Sequence, residues 1–351
     1  MSGPSNVPVS LPISSWPVED RRRWEQAREG GDVFEADHQR RELSSDTWRN
    51  YEAAYGRWLA TLATEEPAAM MELPEARVTA ARLQCYAALE TGRCTEKSAG
   101  AFLANLVYAL TIVAPEADTA PLKRLAHVLR RRAPSVHDKW ERLLAIDEVF
   151  KLGERLLLGA IERIDRNGRV PIKALLEGRD GAILVALSSK PLRPGALCSL
   201  QLSDTTERSD GRLRVVVRGE HDKSGQQVAH VHGPDASRLL RLYCDRVRPL
   251  LPGAAVHDAW WPSARGEPLG YLGLRGVTRQ RLQAAFGRAV PPHALRHCVA
   301  TAVAVVMPEQ MGIATVMLDH ASERTTKAYY DLARGVGASR KLSEIVRRKL
   351  R

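Results

Sequence analysis

Little in this sequence points to redox chemistry or to a membrane. Its five cysteines, Cys85, Cys94, Cys198, Cys244 and Cys298, are odd in number and include no CxxC pair. That argues against a disulfide framework and against a zinc site, and leaves buried or idle thiols as the expectation. No run approaches the ~18 uninterrupted apolar residues of a spanning helix, the longest candidate being Val299 to Met307. The N-terminus shows no signal-peptide core, so a soluble, intracellular protein is expected. There is no P-loop and no carboxylate cluster of the two-metal kind, so the expectation is neither a cofactor nor a metal. Internal repeats and low-complexity tracts are lacking as well.

What is present is length and positive charge. At 351 residues the chain suits two domains, each able to bury its own core. Its 52 Lys and Arg outnumber 41 Asp and Glu, for a net charge of +11, and this makes a polyanion the first partner to consider, nucleic acid before membrane. An Arg-rich composition also follows from a GC-rich coding sequence, so charge alone does not decide.

Along the chain, residues 1–40 mix Pro, Ser and Gly with the run Arg21, Arg22, Arg23 and read as a flexible or partly helical arm. Ser44, Ser45 and Asp46 then offer caps to a helix whose Trp48, Tyr51, Tyr55, Leu59 and Leu62 recur at helical spacing up to Pro67. Helical patterns at 75–91, 96–114 and 120–132 follow, punctuated by Gly92, Pro115 and Pro121. Residues 41–135 therefore form a compact four-helix domain, ending in Arg130, Arg131 and Arg132 and a linker at Ala133-Pro134-Ser135. Residues 136–351 form the second domain, helical except for a β-hairpin. Its strands are Leu213, Val215 and Val217 alternating with polar neighbours, then Val228 to His232, around a loop with Lys223-Ser224-Gly225. Segments 234–251 and 293–306 read as helix.

Four segments of this second domain stand out: Lys190-Pro-Leu-Arg193-Pro-Gly-Ala196-Leu, the Lys223 loop, His293-Ala-Leu-Arg296-His297, and Leu318-Asp-His320 followed by Tyr329-Tyr330. In this order they resemble the tyrosine recombinase, or phage integrase, family. That family's catalytic domain carries an Arg in a GLRxxE-like turn, a Lys on a hairpin, an HxLRH helix, and LGH with a Tyr nine residues on. The resemblance is strong from Arg179-Asp180 to Tyr330 and weaker in the four-helix part, which looks like the family's SAM-like core-binding domain. The fold it implies is mainly α with a small β-sheet, a core-binding domain joined to an α+β catalytic domain. Departures are Ala196 where Glu is usual, Asp319 where Gly precedes the His, and Lys190-Pro191 in place of Thr-Gly.

Carried over residue by residue, the resemblance implies Arg193, Lys223, His293, Arg296, His320 and Tyr329 as catalytic residues; Tyr330 competes with Tyr329, and His297 reads as a core histidine. It implies DNA strand cleavage and rejoining through a 3′-phosphotyrosyl bond, without ATP, metal or cofactor. The partner is double-stranded DNA with paired inverted half-sites, bound by a homotetramer in the bacterial cytoplasm, in association with the nucleoid. The residue types suit the reaction: guanidinium forks match the non-bridging phosphate oxygens, and His293, three residues before Arg296, shares its helix face. The tail after Tyr329 packs on a neighbouring protomer or, through Arg347, Arg348, Lys349 and Arg351, binds DNA. Two other readings stay open: a catalytically idle DNA-binding protein of the same fold, which Ala196 favours, and a relaxing topoisomerase of the same chemistry.

Overall fold

The computed structural model of the chain describes residues 9–29, 43–133, 143–167, 170–221 and 227–306. The chain divides into two compact units, Met1–His137 and Asp138–Arg351, and it is mainly α-helical with one small antiparallel sheet. Among the described residues no helix is long and apolar enough to cross a membrane.

The first unit is built on α1 (Val18–Glu29), α2 (Ser45–Glu65), α3 (Ala80–Arg93), α4 (Glu96–Val113) and α5 (Ala120–Arg132). Hydroxyl caps start three of these helices. Ser44, Thr79 and Thr95 each accept a backbone N–H from the residue three positions on, at 3.3 Å. The break at Thr79 explains why the pattern read over 75–91 becomes a short turn, Pro74–Arg77, followed by α3. Trp48, Tyr55, Leu59 and Leu62 of α2 are buried, as their spacing requires.

Residues 9–29 bear out the helical part of the expected arm, in α1, but they are packed in a core and not free. Trp16 and Trp24 are buried in the core of the first unit, edge-on to each other and to Tyr55 and Trp48. Asp20 of α1 is fully buried, where it pairs with Arg77 and accepts the Tyr55 hydroxyl at 2.8 Å. Of the basic run, Arg22 and Arg23 pair with Glu19, and Arg23 also with Glu75. Local composition conceals the burial of this helix because the partners of Asp20 lie 35 and 57 residues downstream.

The second unit wraps its core around α7 (Ile172–Ser189), whose residues from Gly178 to Leu187 are all buried. α6 (Ile146–Asn167) crosses it with backbones almost touching. A Cβ on Gly181 would stand 2.5 Å from the Gly153 carbonyl oxygen, so only glycine allows this approach. After α7 come the short α8 (Pro194–Ser199), β1 (Thr205–Glu207), β2 (Leu213–Val217), β3 (Val228–Val231), α9 (Pro234–Leu242), α10 (Tyr271–Phe286) and α11 (Pro292–Val306). β2 pairs antiparallel with β3, Val215 opposite His230, and buries Leu213, Val215 and Val217. A third strand, β1, pairs on the other side of β2; at three residues it carries no readable alternation.

The helix expected over 234–251 is instead three pieces. α9 passes into a π-helical turn at Tyr243–Val247 and a 3-10 turn at Arg248–Leu250. Pro249 withholds an N–H from any continuing helix. Buried Tyr243 is anchored through its hydroxyl to the Trp260 carbonyl at 2.7 Å, which fixes the wider turn.

Candidate active site

α7 ends where two prolines make helix impossible to continue. Pro191 and Pro194 both push their preceding residues away from the helical region, and Arg193, at φ −58° and ψ 139°, is left as the residue before α8. Its side chain is half-buried. Three residues on, Ala196 is 3% exposed among Leu192, Leu197 and Leu200. The position where the related pattern usually has Glu is therefore apolar packing.

α11 begins at Pro292, with His293 in its first turn and Arg296 one turn on. The two differ in setting: His293 is exposed, whereas Arg296 is 4% exposed. Arg296 Nη1 donates to the Pro191 carbonyl, so the helix that carries one guanidinium also holds the turn that carries the other. Loss of solvent lowers the pKa of the His293 imidazole, and the positive charges of Arg296 and Arg193 add to that effect. The influence of both arginines on this imidazole places the three side chains in one field. His297 is half-buried, with its ring edge-on to His293 at 5.0 Å. It belongs to this cluster and not to the core assigned to it from the sequence.

Arg193, His293 and Arg296 are thus brought together from segments about a hundred residues apart. Lys223, His320, Tyr329 and Tyr330 lie outside the described residues, as does the tail after Tyr329. The connection that contains Lys223 runs from β2 to β3.

Sequence reasoning missed two supports of this region. Asp180 is buried and accepts from Arg179 at 2.7 Å and from Arg281 at 2.9 Å, tying α7 to α10, while Arg179 also donates to the Pro262 carbonyl at 2.8 Å. The Arg179-Asp180 pair is visible in the sequence, but nothing local announces Arg281, 101 positions away. The second is His232, 3% exposed, whose Nδ1 lies 2.9 Å from Ser189 Oγ at the end of α7. Burial pushes its pKa down to about 4, helped by His230 and Lys190.

The cysteines are all free thiols, and burial pushes Cys198 up to about 11 and Cys244 up to about 12. Neither is ionised at neutral pH, which removes them as nucleophiles.

Residues 169–335 match the model of the phage integrase family. Over 157 residues the chain is 27% identical to the tyrosine recombinase XerD of Chlorobaculum tepidum, covering 44% of this chain and 49% of that one. Over 151 residues it is 30% identical to the tyrosine recombinase XerC of Corynebacterium efficiens, covering 43% and 46%. The chain thus spans about half the length of the curated relatives it matches. Among solved structures, XerH site-specific recombinase in a post-cleavage complex with palindromic difH substrate superimposes with TM-score 0.59 at 16% identity, over 96% of this chain and 98% of that one. A lambda integrase dimer bound to a COC' core site gives TM-score 0.53 at 20% identity, over 93% and 79%. At these identities the likeness to the two structures is one of fold.

Proposed function

Because residues 169–335 match the phage integrase family model, we propose that this chain is a member of that family and a tyrosine-type site-specific DNA recombinase. It cuts a DNA strand by joining Tyr329 to a backbone phosphate and reseals it by the reverse step. The observation that carries this reading is that Arg296, one turn after His293 on α11, bonds the Pro191 carbonyl of the turn that carries Arg193, which gathers the three side chains. Two guanidiniums there match the non-bridging oxygens of a phosphodiester as charge develops on them.

A phenol of ordinary pKa near 10 is ionised about once in a thousand at neutral pH, a deficit of roughly 4 kcal/mol. The arginine field lowers that cost. His293, with its pKa below the usual histidine value, is neutral at pH 7 and free to take the phenol proton. The phenolate oxygen bonds to phosphorus, the 5′ oxygen leaves with a proton from Lys223, and His320 donates a hydrogen bond to the phosphoryl group. The phosphotyrosyl bond conserves the energy of the phosphodiester, so rejoining needs no ATP.

The partner is double-stranded DNA with paired inverted half-sites, on which four protomers assemble; the tail after Tyr329 links neighbours. Exposed Arg130, Arg131 and Arg132 at the end of α5 supply phosphate contacts. The setting is the bacterial cytoplasm, on nucleoid DNA.

The test uses the full chain and duplexes enriched by binding from a random-sequence pool, nicked beside each candidate cleavage position. The expected outcome is a protein–DNA adduct that survives denaturant in the wild type and in Tyr330→Phe and is absent in Tyr329→Phe. An adduct in Tyr329→Phe, or none in the wild type, refutes the reading.

A further inference from the structure

The turn that delivers Arg193 is short and is held by side chains from other elements. α7 closes with Lys190 N donating to the Ala186 carbonyl at 2.9 Å, and Leu192 N then donates to the Lys190 carbonyl at 2.8 Å. Beyond these local bonds and the burial of Leu192 in the core, two hydrogen bonds tie the turn to other elements: Arg296 grips the Pro191 carbonyl, and His232 Nδ1 meets Ser189 Oγ at 2.9 Å. Arg193 follows directly.

His232 is itself immobilised. It follows β3, its N–H donates to the Leu213 carbonyl at 2.9 Å, and its carbonyl accepts the Ser237 hydroxyl at 3.2 Å. Ser237 in turn accepts the Leu213 N–H at 2.9 Å, closing a loop of bonds between β2, the end of β3 and α9. The ring is 3% exposed and Ser237 is fully buried, so exchange of these bonds for water is suppressed. Lys190 and His230 are the charged or titratable neighbours that act on the ring; with burial they hold its pKa near 4, so that it stays neutral in the cell.

We propose that His232 is a positioning residue of the active site: through Ser189 it locks the Lys190–Arg193 turn to the β-hairpin, and thereby sets where the Arg193 guanidinium stands. The inference rests on the recombinase reading above. A guanidinium fork displaced by about 1 Å loses its match to phosphate, an effect of up to ~100-fold in rate.

The test measures single-turnover adduct formation by the full chain on the nicked, pool-selected duplex, together with duplex affinity and melting temperature. His232→Leu and Ser189→Ala are expected to slow the adduct about tenfold or more with affinity within about twofold. His232→Asn and Ser189→Thr, which keep a hydrogen-bonding group in place, recover most of the rate. In an Arg193→Lys chain the fork is already gone, so His232→Leu changes the rate by less than about twofold. Wild-type rate in both His232→Leu and Ser189→Ala, or an equal loss in the Arg193→Lys background, overturns the proposal while leaving the recombinase reading intact. A wild-type chain without an adduct overturns that reading instead. If His232→Leu does not fold, Ser189→Ala against Ser189→Thr decides alone.

Discussion

Acid should destabilise the second unit through one buried imidazole. His232 has its pKa depressed from 6.5 to about 4, so between those values the unfolded chain binds a proton that the folded one refuses. Stability therefore rises with pH across this window and is lost as pH falls from about 6.5 toward 4. At 1.36 kcal/mol per unit, the loss by pH 4 is about 3 kcal/mol, a large share of the ~5–15 kcal/mol of a typical domain. His232→Asn keeps a group for Ser189 but cannot titrate. Denaturant unfolding of both proteins, followed at several pH values by hydrogen exchange of peptides from β2, β3 and α7, isolates the term as a difference. That difference should shift by about 3 kcal/mol in favour of His232→Asn between pH 7 and pH 4. Parallel curves for the two proteins would exclude His232 as the source of the acid sensitivity.

Three further outcomes follow from the structure. Trp24→Ala empties a fully buried site in the first unit and should cost about 3–5 kcal/mol, read as a lower melting temperature of that unit; an unchanged melt would restore the notion of an arm. Gly181→Ala drives a Cβ to 2.5 Å from the Gly153 carbonyl and 2.7 Å from Leu157 N. Both are backbone atoms, so α6 and α7 must part and stability should fall by about 1–3 kcal/mol, whereas Gly159→Ala, with nothing near its Cβ, should be tolerated. The pKa of His293 is lowered by desolvation and by two cations, so the acidic limb of the cleavage profile should lie below pH 6.5. Arg193→Gln removes one cation and should move that limb upward, and a limb that stays put would detach the arginine from the imidazole.

Much of this architecture is legible in the sequence, for definite reasons. Helices α2, α4 and α5 announce themselves through Ser44 ahead of α2, Pro115 after α4 and Pro121 at the start of α5, and through apolar residues at helical spacing. Arg193, His293 and Arg296 stand out as candidates because their short motifs, common one by one, occur together in a set order along the chain. What could not be read depends on distant partners. α1 reads as part of a flexible or partly helical arm until Asp20 meets Arg77, and His232 looks like an ordinary strand residue until the fold brings it to Ser189, 43 positions earlier. β1 is too short to show a period, and the π-helical turn after α9 follows from how Tyr243 is anchored to Trp260.

The bond from Arg296 to the Pro191 carbonyl makes two arginines a single energetic unit. On the proposed reading, a neutral residue at position 296 subtracts a charge from the phosphate and, in the same stroke, unfastens the turn that carries Arg193. Their separate losses will accordingly overlap instead of summing, and activity lost at either one cannot be credited to that side chain alone.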